Sequence, residues 1–313
     1  MNKILNSIMD TIGGTPMIRL DRLTDGLDGT IVAKLEYFSP SGSKKDRAAK
    51  RIIEDAEKSG ELKPGQAVVE VTSGNTGAGL AIACAVTGHP FIAVLTDHPS
   101  KERGRMIRAL GAEVASVDSV AAGSGEEPML VEQEVRRIVA SRGAFRANQF
   151  GNRSDVDSHY TTTGREMWEQ AGDDIDAFVD FVGTGGCLAG VTRALKEQKP
   201  SIKCYAVEPE GVATLAGMPV SRRSHGIQGG GLGRHDLTHL HHVALDGYLQ
   251  VSGEDARTTC RELARREGVF AGYSAGANVA AALQLLRGRF AGGTVALVIP
   301  DTGMKYLSTD LWA

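Results

Sequence analysis

The chain has 313 residues, of which 42% are hydrophobic and 23% charged, the balance of a soluble globular protein large enough for two packed lobes. A formal net charge of -3, with Lys and Arg spread along the chain, excludes a basic nucleic-acid arm or a patch for anionic membranes. No apolar run approaches the ~20 residues of a membrane helix, MNKILNSIMDTIGG lacks a signal-peptide core, and Cys84, Cys187, Cys204 and Cys260 form no CxxC pair, so a cytoplasmic protein with reduced thiols is expected.

In chain order, the first motif is SPSGSKKDR at 39–47, which leads into a helical pattern over 48–58. Taken alone, Lys44 and Lys45 are charges in a first helical turn. An apolar strand at 67–71 is followed by TSGNTG at 72–77 and a helix at 78–87. Backbone N–H groups at a helix start, joined by hydroxyls, form an anion site, and an ordinary capped Gly-rich turn fits the same residues equally well. A strand at 91–95 and a helix at 101–110 come next, and AAGSGEEP at 121–128 reads as a loop.

A second strand–turn–helix unit spans a strand at 177–182, GTGGC at 183–187 and a helix at 188–196. Three glycines and a threonine at a helix start make a phosphate cradle. It is not the dinucleotide GxGxxG, because position 188 is Leu; GAG at 77–79 fails likewise, with Ile at 82, and a Walker A pattern is absent. Residues 219–236 read as a loop. GYSAGA at 272–277 precedes a helix at 278–286, for which a capped start is the simpler reading, and PDTG at 300–303 ends the last strand, 294–299. The strand–helix alternation predicts an α/β fold of parallel sheets in two lobes with a cleft between them at the carboxyl ends of strands. His235, His239, His241 and His242 fix no third metal ligand by spacing, so no metal is predicted. Cys187, with no predictable His partner, is expected to pack and not to act as a nucleophile.

Together these segments resemble the cysteine synthase and cystathionine β-synthase family, the fold-type II pyridoxal 5′-phosphate (PLP) enzymes. PSGSxKDR, TSGNTG, GTGG, HxIQG and PDxG occur in that order, and the match runs from IGGTP at 12–16 to YLST at 306–309. The resemblance implies that Lys45 joins PLP covalently and acts as the catalytic base. It implies that Asn75 meets the ring oxygen, that Gly183, Thr184, Gly185, Gly186 and Cys187 hold the phosphate, and that Ser274 meets the pyridine nitrogen. Thr72, Ser73, Gly74, Thr76 and Gln149 correspond to the grip on the substrate carboxylate, and Gln228 to the side-chain pocket. It further implies a homodimer, a larger lobe of residues 1–38 and 149–313, and a smaller mobile lobe of residues 39–148. The implied reaction is β-replacement on an activated serine, O-acetylserine plus sulfide giving cysteine. Serine with homocysteine, or phosphoserine with thiosulfate, are the alternatives within the class. Departures from the family pattern are Lys44 for an apolar residue, Cys187 for Thr, Gly14 for Asn, Gly226 for Lys, and the GGGLGR stretch at 229–234. Lys45 together with the carboxylate turn argues against a PLP-binding regulator without turnover, and the failed GxGxxG tests argue against a nicotinamide enzyme.

Overall fold

The computed structural model describes residues 4–96, 100–117, 127–222 and 224–313. Its strands are β1 (Met17–Arg19), β2 (Thr30–Leu35), β3 (Val68–Val71), β4 (Phe91–Thr96), β5 (Glu113–Val117), β6 (Phe145–Arg146), β7 (Ala177–Phe181), β8 (Lys203–Pro209), β9 (Gly247–Val251) and β10 (Thr294–Ile299). The α-helices are α1 (Lys45–Ser59), α2 (Asn75–Thr87), α3 (Lys101–Ala109), α4 (Glu127–Arg142), α5 (Ser154–Ser158), α6 (Gly164–Ala171), α7 (Gly186–Gln198), α8 (Gly253–Glu267) and α9 (Tyr273–Leu286). A π turn, His159–Thr163, joins α5 to α6.

Six strands form one sheet in the order β1-β2-β10-β7-β8-β9, and four form another, β5-β4-β3-β6. Every pairing is parallel except β1 with β2. Parallel sheets need cover on both faces, and the strands show it by burying alternate residues into different cores. On β10, Val295, Leu297 and Ile299 enter the core beneath α8 and α9, whereas Ala296 and Val298 enter the core beneath α6 and α7. On β3, Val68 faces the core of α1 and α2 while Val69 faces that of α4. The α/β class expected from the alternation is the observed one.

Helix starts lie earlier than the periodicity predicts. The pattern places them at 48, 78, 188 and 278; they lie at Lys45, Asn75, Gly186 and Tyr273. Each motif runs into the first turn of its helix, where backbone N–H groups have no intrahelical acceptor; Gly77 N and Gly186 N bond instead to the Thr72 and Thr184 hydroxyls of their own motifs. The loop predicted at 121–128 falls mainly outside the described residues; α4 already begins at Glu127, so Pro128 sits in a first turn that needs no amide donor.

Candidate active site

The SGSKKDR segment is fixed to the six-stranded sheet before α1 begins. Lys44 N donates to Pro300 O (2.8 Å) and Thr302 N to Gly42 O (3.1 Å), beyond the end of β10. Asp46 accepts from Ser41 N (2.6 Å) and from the Ser41 hydroxyl. Arg47, almost fully buried, donates to both oxygens of the equally buried Glu36 (2.7 and 2.8 Å) and to both of Glu166 on α6 (2.6 and 2.8 Å). Polar groups on either side of Lys45 therefore fix its backbone.

Lys45 opens α1, and its Nζ donates to Thr184 Oγ1 at 3.0 Å, with Asp155 Oδ2 at 3.4 Å. Lys44 turns elsewhere: its Nζ meets both Asp180 oxygens on β7 at 2.8 Å. Burial works against the Lys44 charge, but Asp180 more than restores it and holds the ammonium above the ordinary lysine value. The two adjacent lysines are thus chemically distinct, one locked in a bidentate ion pair and one against a hydroxyl of the Gly-rich turn.

That turn, residues 183–187, lies between β7 and α7. Gly185 has φ +89°, and a Cβ there would stand 2.9 Å from Leu240 Cγ. A Cβ on Gly186 would stand 2.5 Å from Asp155 Oδ2, so the carboxylate of Asp155 presses directly on the turn. The segment after HGIQ packs on its underside: Gly231 N donates to Val182 O (2.9 Å), and a Cβ on Gly230 would overlap that carbonyl. Close backbone approach accounts for glycine at 230, one of the departures in GGGLGR. The Cys187 thiol is buried; burial, followed by the neighbouring Asp180, pushes it well up, the reverse of what a nucleophilic thiol needs.

In the 72–77 turn, Thr72 Oγ1 accepts from Gly74 N (3.0 Å) and Gly77 N (2.9 Å), so this hydroxyl shapes the turn from within. Thr76 Oγ1 donates to Gln149 Oε1 (2.6 Å), and Gln149 Nε2 donates to Val71 O (2.7 Å), which joins two residues 73 apart in sequence. Ser73 is exposed. The Asn75 amide is held at both ends, donating to Asp301 Oδ2 (2.7 Å) and accepting from Lys305 Nζ (2.7 Å). Burial pushes the Lys305 ammonium down, with Asp301 opposing, to about 8. Ser274, in the first turn of α9, is buried, and its hydroxyl lies beneath Gly229, whose Cβ would stand 3.7 Å away. Gln228 accepts from Arg103 of α3.

The expected residues therefore lie at three helix starts, those of α2, α7 and α9, with Lys45 beside the second and Gln228 just before the glycine that covers Ser274 at the third. Sequence reading missed Asp155, Asp180, Arg103 and Lys305, which belong to no motif; Asp301 lay inside the PDTG segment already singled out. The four histidines do not converge: His239 is buried with Nε2 2.9 Å from Gln149 O, while His241 pairs with Asp236 at the surface.

These residues fit pyridoxal phosphate. The turn at 183–187 admits no side chain at 185 or 186, runs into the first turn of α7, where N–H groups have no intrahelical acceptor, and carries a hydroxyl within hydrogen-bond reach of an amine. Asp155 Oδ1 beside it is buried without a hydrogen-bond partner. A lysine amine 3.0 Å from the hydroxyl of a Gly-rich helix start, in a protein of parallel sheets, is the arrangement that a lysine-linked phosphate-cofactor enzyme needs. The chain belongs to the family of pyridoxal-phosphate dependent enzymes, which it matches over residues 8–301. It is 38% identical to a cysteine synthase of Staphylococcus aureus over 99% of this chain and 98% of that one. Among solved structures, O-acetyl serine sulfhydrylase isoform 3 from Entamoeba histolytica superposes with a TM-score of 0.89 at 35% identity, covering 99% of this chain and 92% of that chain. The O-acetylserine dependent cystathionine beta-synthase from Helicobacter pylori superposes with a TM-score of 0.91 at 30% identity, covering 99% and 100%.

Proposed function

We propose that this enzyme replaces the β-substituent of an activated serine, taking O-acetyl-L-serine and sulfide to L-cysteine and acetate. The observation that carries the reading is Lys45 Nζ, 3.0 Å from Thr184 Oγ1 of the 183–187 turn, with a second anion-binding turn on the neighbouring sheet. Similarity to a cysteine synthase along nearly the whole chain supports it.

In this reading the 183–187 turn holds the cofactor phosphate, Asn75 orients toward the ring oxygen and Ser274 toward the ring nitrogen. When bound, pyridoxal phosphate supplies an electron sink for negative charge at the substrate Cα. Lys45, freed as an amine, takes the Cα proton and later returns it. The N–H groups and hydroxyls of the 72–76 turn, braced by Gln149, replace water around the substrate carboxylate. Acetate leaves Cβ and sulfide takes its place, while Gln228 and Arg103 wall the side-chain pocket. The neutral Ser274 hydroxyl does not hold a proton on the ring nitrogen as a carboxylate would. Ser274 would thereby favour loss of the β-substituent over transamination.

The two separate sheets support a division into a larger lobe, residues 1–38 and 149–313, and a smaller lobe, residues 39–148, that closes when a carboxylate bridges the two turns. We place the protein in the cytoplasm as a homodimer; no helix among the described residues is long and apolar enough to cross a membrane. A second reading, homocysteine as the incoming thiol, is favoured by the similarity to the Helicobacter pylori enzyme. The test offers acetylserine, phosphoserine and serine, each with sulfide, thiosulfate and homocysteine. Cysteine from acetylserine and sulfide should form with the highest kcat/KM; absence of amino-acid product in all nine pairings overturns the reading.

A further inference from the structure

The carboxylate of Asp155 is fully buried against the turn that the proposed function assigns to a phosphate. Two buried anions in contact without compensation cost far more than either gains from the turn. In the chain by itself the compensation is visible. Asp155 Oδ2 accepts from Thr184 Oγ1 (2.7 Å) and faces Lys45 Nζ (3.4 Å) and His239 Nε2 (3.9 Å). Its other oxygen, Oδ1, has no hydrogen-bond partner, and 3.7 Å away stands His159 Nε2, also fully buried and also without a partner. His159 Nδ1 lies 2.9 Å from Thr163 Oγ1, which fixes the ring. In the tautomer whose Nδ1–H donates to Thr163, Oδ1 and Nε2 present lone pairs to each other, and one added proton would make them a donor and an acceptor, Oδ1–H to Nε2.

We propose that the turn takes up a phosphate together with one proton, and that Asp155 carries that proton in a hydrogen bond to His159. This rests on the reading that residues 183–187 hold the cofactor phosphate. Burial acts first on Asp155 and pushes its carboxyl up; Lys45, then His159, Thr184 and His239, reverse this and keep it below the usual carboxylate range. A phosphate at the turn adds negative charge beside Asp155, and a Lys45 engaged with the cofactor no longer faces it, so the upward push gains a second source and loses its largest opponent. Burial holds the His159 imidazole down, to about 4, so it remains a neutral acceptor. Of the other charges packed around the cluster, Lys44 is already committed to Asp180 and Glu36 to Arg47. The proposed step moves only a proton, taken from solvent; the joining of Lys45 to the aldehyde carbon, which releases water, is common to pyridoxal phosphate and pyridoxal and cancels between them.

The test measures binding of pyridoxal phosphate and of pyridoxal, which lacks the phosphate, to the full-length cofactor-free protein and to its Asp155→Asn variant. Titration calorimetry in buffers of different ionisation enthalpy gives the protons exchanged. With pyridoxal phosphate the wild type should take up about one proton more than the variant, and its affinity relative to the variant should fall up to about tenfold per pH unit as pH rises. With pyridoxal the two proteins should match. Equal proton numbers and parallel pH slopes with pyridoxal phosphate overturn the proposal while leaving the phosphate site in place. Equal affinity of the wild type for pyridoxal phosphate and pyridoxal overturns the phosphate site itself. Should Asp155→Asn fail to fold, the infrared difference spectrum of wild type labelled with 13C in its aspartate carboxyls decides. A protonated-carboxyl band that shifts with the label must appear on loading; its absence rejects the assignment to Asp155.

Discussion

Replacing Arg47 by Met keeps most of the side-chain volume and removes the charge between Glu36 and Glu166. Arg47 makes two hydrogen bonds to each carboxylate and one to Thr15 Oγ1 (3.2 Å). Glu166 retains Lys34 at 2.8 Å, but the fully buried Glu36 keeps only Thr15 Oγ1 (2.7 Å). Breaking a buried pair from one side costs roughly 3–5 kcal/mol, because the remaining charge is stranded. For a 313-residue chain the unfolding entropy is about 0.66 kcal/mol/K, so the melting temperature should fall by about 5–8 °C. Burial pushes the Glu36 carboxyl up, and Arg47 outweighs it to give a net lowering. In the wild type this term is therefore present above the unfolded carboxylate value of about 4.5 and lost as pH falls through the folded one. In Arg47→Met the sign reverses: Glu36 rises, the protonated form is favoured, and stability is lost as pH rises. The deficit should thus be largest near about pH 8 and shrink toward about pH 4. Urea unfolding followed by circular dichroism at several pH values measures it, and Glu36→Gln added to Arg47→Met should recover part of the loss. A deficit below about 1 kcal/mol, or one that does not change with pH, refutes the reasoning. Because Arg47 also fixes the first turn of α1, cofactor occupancy at Lys45 should drop in parallel.

Four further outcomes are expected. Ser274→Ala should weaken pyridoxal phosphate binding by one hydrogen bond, about 0.5–1.5 kcal/mol, read by fluorescence titration; unchanged affinity would mean the hydroxyl does not meet the ring. Glu70 is buried and, although it accepts from Val71 N (2.9 Å) and Gln149 N (3.1 Å), burial pushes its carboxyl up to about 7. Its contribution is full below about 4.5 and lost as pH rises through about 7, so Glu70→Gln should flatten the stability–pH curve over that interval by on the order of 3 kcal/mol. At Gly276 a Cβ would overlap Ala256 O and stand 2.8 Å from Cys260 Cβ, so Gly276→Ala should force α8 and α9 apart and cost about 3 kcal/mol or more. At Gly104, inside α3, the nearest atom would be 3.4 Å away, and Gly104→Ala should instead stabilise by about 0.5–1 kcal/mol in the same thermal assay.

The sequence by itself determined what depends on neighbours along the chain. Short apolar runs marked β3, β4, β7 and β10, and glycines with hydroxyl residues marked the turns at 72–77 and 183–187, because backbone sterics and helix-start N–H groups without an intrahelical acceptor act over four or five residues. The lysine pair at 44–45 was visible for the same reason, although nothing local separated the two amines. Only the tertiary structure decided that Lys44 belongs to Asp180, 136 residues away, and that Lys45 belongs to Thr184. The strand order also lay beyond the sequence: β10 inserts between β2 and β7, and this carries Pro300, Asp301 and Lys305 to the 39–44 segment and Asn75. Asp155 carries no motif, since a carboxylate in a short helix looks the same whether it faces water or a phosphate turn. Burial is a property of what packs on a residue from elsewhere in the chain, and burial is what makes the ion pairs, the unpartnered atoms and the shifted carboxyls of this site.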